Sequence, residues 1–120
     1  MSLEIQSRTL AALIMLGENP KNIKLQEAML SLTPDLFADH DARELFVLID
    51  EHFKINQPFD VTRIMSIVPQ SLFDYLMQVI PMNWSTATLA SDIKYLHDTC
   101  RLRIMRERLN QLAKEVKEET

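Results

Sequence analysis

The last third of the chain constrains the fold most, because it has the pattern of one long helix whose apolar side changes halfway along. Residues 85–119 contain no glycine and no proline, and they are rich in strong helix formers. Two sets of apolar residues follow each other there, and each set has the 3-and-4 spacing of a narrow stripe along a helix. The proximal stripe is Leu89, Ile93, Leu96 and Cys100, and the distal stripe is Leu102, Met105, Leu109, Leu112 and Val116.

The two stripes point in opposite directions. At about 100° per residue and with Leu89 at zero, the proximal stripe centres near 0° and the distal stripe near about 180°. We therefore expect the first half of the helix to pack on a body formed by the preceding residues. The second half would project and require another helix, which would come from a second chain or from sequence that is missing here. The alternative is a bend near Cys100 that folds both stripes into one core.

The residues before the long helix predict several short helices joined by short loops. A first helix is expected over residues 3–16, with Gly17 as its C-terminal stop. The expected starts of the following elements are Asn19-Pro20, Thr33-Pro34, residues 39–41 (DHD), Asp60 and Pro69, with Ser85 or Thr86 before the long helix. The sequence thus predicts an all-α chain, a compact bundle of five or six short helices followed by one long projecting C-terminal helix. We expect a single domain overall, made of a helical body (1–84) and the long helix (85–120).

Composition narrows the function classes. The chain has 120 residues, an apolar fraction of 47% and a net charge of −4, which is typical of one ordinary globular domain. The acidic balance does not favour binding of nucleic acid by this domain, nor attraction to a membrane. The apolar run at residues 10–16 is too short to span a bilayer and lacks the basic start of a signal peptide. The single cysteine excludes an internal disulfide and suits a reducing compartment, so we expect a cytoplasmic protein.

The sequence contains no recognisable catalytic set, and we expect no catalytic residue, no cofactor and no metal. A phosphate-binding loop of the G-x-x-x-x-G-K-[ST] type cannot be built with one glycine. Two sets of residues contain possible metal ligands, residues 39–41 (DHD) and the pair His97 and Cys100. Capping is the better interpretation for the first, because consecutive residues point in different directions, and packing is the better interpretation for the second.

Two further features have a functional and a structural interpretation. Four arginines, Arg101, Arg103, Arg106 and Arg108, could contact phosphate or an acidic partner. Because they do not share one side of the helix, a solvated surface is the better interpretation. Trp84 lies between two proline-bounded elements and is either an exposed recognition anchor or a plug over the core, of which we favour the plug.

Five segments in order resemble the N-terminal domain of bacterial replicative DNA helicases of the DnaB type. The segments are residues 4–14 (EIQSRTLAALI), 32–37 (LTPDLF), 40–46 (HDARELF), 57–62 (QPFDVT) and 92–97 (DIKYLH). The first resembles the family's opening E-x-x-x-x-x-L-x-x-L helix and the second its L-x-P-x-D-F turn. The likeness covers residues 4–117, and its strength lies in the order of the motifs. The chain departs from the family by lacking a glycine before the link at 57–62 and by carrying Met82-Asn83-Trp84 where small residues are usual.

The resemblance implies a function that the residues alone do not. In that family this domain is a non-catalytic collar, which pairs through a helical hairpin begun by the long helix, binds primase and regulates the ring, while the ATPase motor lies elsewhere. We therefore expect a homo-oligomer, a dimer through the distal stripe, with primase or a helicase loader as the other partner. The alternative is a stand-alone helical adaptor or regulator of replication that shares the fold but belongs to no motor. A phosphate-binding loop in the natural reading frame beyond Thr120 would distinguish the two.

Overall fold

The computed structural model describes residues 2–82 and 85–119, and over that part of the chain the fold is all α-helical, as the sequence predicts. Five shorter helices precede one long C-terminal helix. The helices are α1 (Ser2–Leu16), α2 (Ile23–Leu30), α3 (His40–Lys54), α4 (Val61–Ile67), α5 (Gln70–Val79) and α6 (Leu89–Glu119), with single 3-10 turns at Pro34–Leu36 and Ile80–Met82. No described helix is both long and apolar enough to cross a membrane. Trp84, predicted to plug the core, lies outside the described residues.

Helix α1 forms the centre of the bundle. Its middle, residues 10–14, is apolar around the whole circumference, and none of these five residues is more than 3% exposed. A helix that is apolar on every side must be covered on every side, and α2, α3, α4, α5 and α6 all contact α1. The first turns carry the polar links. Gln6 is buried and its side-chain carbonyl accepts a hydrogen bond from the backbone N–H of Asp39 (3.1 Å).

The predicted helix starts are partly right. Asp39 is the N-cap of α3, and its carboxylate accepts a hydrogen bond from the backbone N–H of Ala42 (3.1 Å). The start at Asn19 is wrong, because residues 19–22 close into a turn and Asn22 caps α2 instead, accepting from the N–H of Leu25 (3.2 Å). The long helix begins at Leu89, later than predicted, since Ser85 accepts from the N–H of Ala87 within the preceding turn.

Gly17 ends α1 for a reason that differs from the one predicted. No described glycine has a positive φ, so the left-handed conformation of a glycine C-cap is not used here. Instead the Phe59 ring lies directly against Gly17, and a β-carbon at this position would stand 2.4 Å from the ring. The backbone N–H of Phe59 also donates to the carbonyl of Gly17 (3.0 Å). Glycine is thus required by the close approach of two segments, and this contact fixes the loop before α4 against the end of α1.

Candidate association surface

The two stripes of α6 differ completely in burial. The proximal stripe is buried, with exposed fractions of 3% for Leu89, 8% for Ile93, 0% for Leu96 and 5% for Cys100. The distal stripe is exposed, with 53% for Leu102, 58% for Met105, 62% for Leu109, 56% for Leu112 and 63% for Val116. Helix α6 runs without interruption through the change. The alternative of a bend that returns the distal stripe to the same core is therefore not observed.

A partly buried ion pair anchors the start of α6 to α1, and its Arg8 side chain is 28% exposed. Asp92 is 3% exposed, and the Arg8 guanidinium donates to both of its carboxylate oxygens, from Nε at 2.8 Å and from Nη2 at 2.7 Å. The Thr88 hydroxyl donates to the same carboxylate (3.0 Å). The hydrogen bond with Asp92 raises the pKa of Arg8 above its ordinary value. Sequence reasoning missed this pair, although Asp92 lies between two residues of the proximal stripe, where a charge requires a partner.

A second group of contacts holds the middle of α6 to the loop after α2. The His97 ring donates from Nε2 to the carbonyl of Ser31 (2.7 Å). The Arg103 guanidinium donates to the carbonyl of Asp35, which the Cys100 thiol also contacts (3.7 Å). The hydroxyl of Thr33 donates to the Asp35 carboxylate and lowers its pKa, with smaller contributions from Arg103 and His97. Beyond Arg103 this anchoring ends, and every side chain from residue 104 to residue 117 is exposed.

The candidate metal ligands in the sequence have structural partners instead. Asp39 is occupied as a helix cap, and His97 and Cys100 both contact backbone carbonyls. Among the described residues, no group of three or more His, Cys, Asp or Glu is placed to hold a metal ion. The arginines do not form one surface either, because Arg103 turns back to the body and Arg101 lies 3.9 Å from Asp98 on its own helix.

A surface groove lies beside the base of the distal stripe, between α6 and the 3-10 turn at Pro34–Leu36. Its lining mixes apolar side chains, among them Leu36, Tyr95 and Leu102, with polar ones such as Arg106. Tyr95 is 40% exposed although it belongs to the anchored half of the helix. The groove therefore extends the apolar surface of the distal stripe onto the body. A partner that covers the stripe would meet both surfaces.

No protein-family model, curated protein or solved structure matches the chain. The arrangement itself defines a surface suited to association with another helix. It offers a row of exposed apolar side chains on a helix that is held firmly at one end.

Proposed function

We propose that this chain is a non-catalytic self-association and docking domain of a replicative DNA helicase. The observation that carries the proposal is the exposed distal stripe on a helix anchored to the body only through its first half. Five large apolar residues on one side of a projecting helix form the kind of surface that a second helix covers. The resemblance of five ordered segments to the DnaB-type N-terminal domain supports the helicase context. Primase or a helicase loader would be the other partner.

Energetics favour pairing of the projecting segment. An isolated helix of fewer than about 15 residues is marginally stable in water, and most helical stability in proteins comes from packing of an apolar face. Fully burying a leucine or methionine contributes roughly 1.5–3 kcal/mol. The five side chains are all about half exposed, so covering them contributes several kcal/mol per chain. This is enough to offset part of the cost of association.

The test is the oligomeric state of a Leu109→Glu variant. Leu109 is at the middle of the distal stripe and is 62% exposed, so the substitution does not disturb the core of the body. Each dimer would bury two glutamates in place of two leucines, which weakens the free energy of association by roughly 4 kcal/mol. This corresponds to a dissociation constant about a thousandfold higher. We expect sedimentation velocity to show a dimer for the natural sequence at tens of micromolar and a monomer for the variant.

A matched control is Gln111→Glu, which adds the same charge on the opposite side of the helix. We expect this variant to stay dimeric. A natural chain that sediments as a monomer at all concentrations would refute self-association, and a dimeric Leu109→Glu variant would refute the role of the stripe. Docking is tested separately by titrating the dimer with a purified bacterial primase in a calorimeter, where absence of heat would count against that partner.

A further inference from the structure

Charged residues flank the distal stripe in a pattern that distinguishes the possible directions of pairing. With Leu89 at zero, one flank lies at about 100° and carries Arg101, Arg108 and Glu115, spaced by seven residues. The other flank lies at about 250° and carries Arg106 and Ala113. All five positions are exposed, and neither Arg108 nor Glu115 forms an ion pair with a described residue of its own chain. They are thus available to a partner helix.

A parallel pair of these helices would bring like charges together. In a parallel pair, the residue on one flank faces the residue five positions later on the other flank of the partner. Arg101 would face Arg106 of the second copy, and the symmetry of the dimer would repeat this contact. Arg108 would face Ala113, and Glu115 would have no charged residue opposite. Parallel pairing therefore has two unfavourable contacts and no favourable one.

An antiparallel pair has favourable charge contacts instead, because each flank of the stripe then faces the same flank of the second copy. One register places Met105 opposite Val116 and Leu109 opposite Leu112, which gives four apolar layers by symmetry, while Leu102 at each end lies opposite position 119, a glutamate in the sequence. In that register Arg108 faces Glu115 of the second copy, twice by symmetry, and Arg106 faces Ala113. Shifting the pair by one heptad toward the body would bring Arg101 opposite Glu115 twice, but it would also stack Arg108 on Arg108 and Arg106 on Arg106, two like-charge contacts that the first register lacks. Charge therefore selects one direction and one register.

We propose that the occupant of the distal stripe is a second copy of this chain, in antiparallel orientation, with Arg108 of each chain paired to Glu115 of the other. The inference rests on the proposed function, since it requires self-association. The length of the exposed segment of α6 is consistent with this register. Leu102 lies opposite residue 119 of the second copy, so the overlap of about 27 Å ends where the helix emerges from the body. A partner helix in this register covers the exposed segment from Leu102 onward.

Charge reversal tests the pairing of Arg108 with Glu115. Arg108→Glu alone and Glu115→Arg alone each create two like-charge contacts, and we expect the dissociation constant to rise about tenfold in each case. The double reversal restores the opposite charges, and we expect the dissociation constant to return to within about threefold of the natural one. Lys114→Glu is the matched control, because it changes the net charge as Arg108→Glu does but lies on the outer side of the helix. An additive double variant would overturn the pairing.

Disulfide capture tests direction and register. In a Cys100→Ala background, a Leu109→Cys chain is mixed with a Leu112→Cys chain under mild oxidation, and the products are identified by mass. The proposed register predicts the mixed product of residue 109 with residue 112. Products between identical chains would show a parallel pair and overturn this inference while leaving self-association intact. A sample that sediments as a monomer would instead overturn the proposed function, and the register with it.

Discussion

Gly17→Ala should destabilise the fold through a single steric contact with Phe59. A β-carbon at this position would stand 2.4 and 2.6 Å from two ring carbons, whereas ordinary contacts are 3.4–4 Å. The ring would have to move by about 1 Å, but Phe59 is fully buried and its backbone is hydrogen-bonded to Gly17. Overpacking of this kind costs roughly 1–3 kcal/mol.

The size of the net effect follows from two opposing contributions. Replacing glycine by alanine lowers the entropy of the unfolded chain and by itself stabilises by about 0.4–1 kcal/mol, because the φ of Gly17 is not positive. The expected net loss is therefore about 1–2 kcal/mol. Urea unfolding followed by circular dichroism at 222 nm should show a midpoint lower by about 1 M, with the slope unchanged.

The double variant Gly17→Ala with Phe59→Leu identifies the contact. A smaller side chain at residue 59 gives space to the new methyl group, so the two losses should not add, and the coupling should be at least about 0.5 kcal/mol. A Gly17→Ala protein that is as stable as the natural one would refute the reasoning. Strict additivity of the two substitutions would refute the assignment of the clash to the ring.

Two further outcomes are expected from groups that join the helices. Asp92→Ala should lower the free energy of unfolding in urea by about 2–3 kcal/mol, because it leaves Arg8 without its partner. Arg8→Met together with Asp92→Leu should recover most of this loss. An Asp92→Ala protein with unchanged stability would contradict the anchoring role. Burial raises the pKa of Tyr75 to about 12 from its ordinary 10.0. The unfolded chain then loses this proton first, so the contribution of Tyr75 to stability is complete below pH 10 and declines up to pH 12. Melting temperatures between pH 9 and 11.5 should fall less steeply for Tyr75→Phe than for the natural protein, and equal slopes would contradict the shift.

Periodicity was sufficient to predict the fold class, because the apolar spacing of each helix follows from covering one core. The sequence also predicted that an aspartate within residues 39–41 caps α3, because short polar side chains precede a regular pattern there, and the structure assigns this cap to Asp39. Local sequence patterns did not identify the N-cap of α2, because two asparagines lie close together there. Asn19 and Asn22 are chemically equal caps, and the choice between them depends on how the turn places α2 against the body, which is a tertiary effect.

Burial of individual residues was harder to predict. Phe73 and Met65 fit the apolar patterns of α5 and α4, yet they are 39% and 42% exposed, because short helices at the edge of the bundle have only part of their apolar side covered. Asp92 is buried although its side chain is acidic. Its partner is 84 positions away, and no local pattern contains that information. The stripe positions on α6 depend only on helix geometry, which is why the sequence could locate them.

The uninterrupted run of α6 from the anchored half to the exposed half couples them in rotation. Each residue turns a helix by about 100°. One inserted residue near position 101 would therefore rotate the distal stripe about the helix axis by about a quarter turn relative to the body. Seven inserted residues would nearly restore its original direction. The direction in which the body faces its surroundings is therefore set by the number of residues in a single rod. An insertion or deletion at this point would change the orientation of the body relative to the distal stripe without any substitution of a side chain.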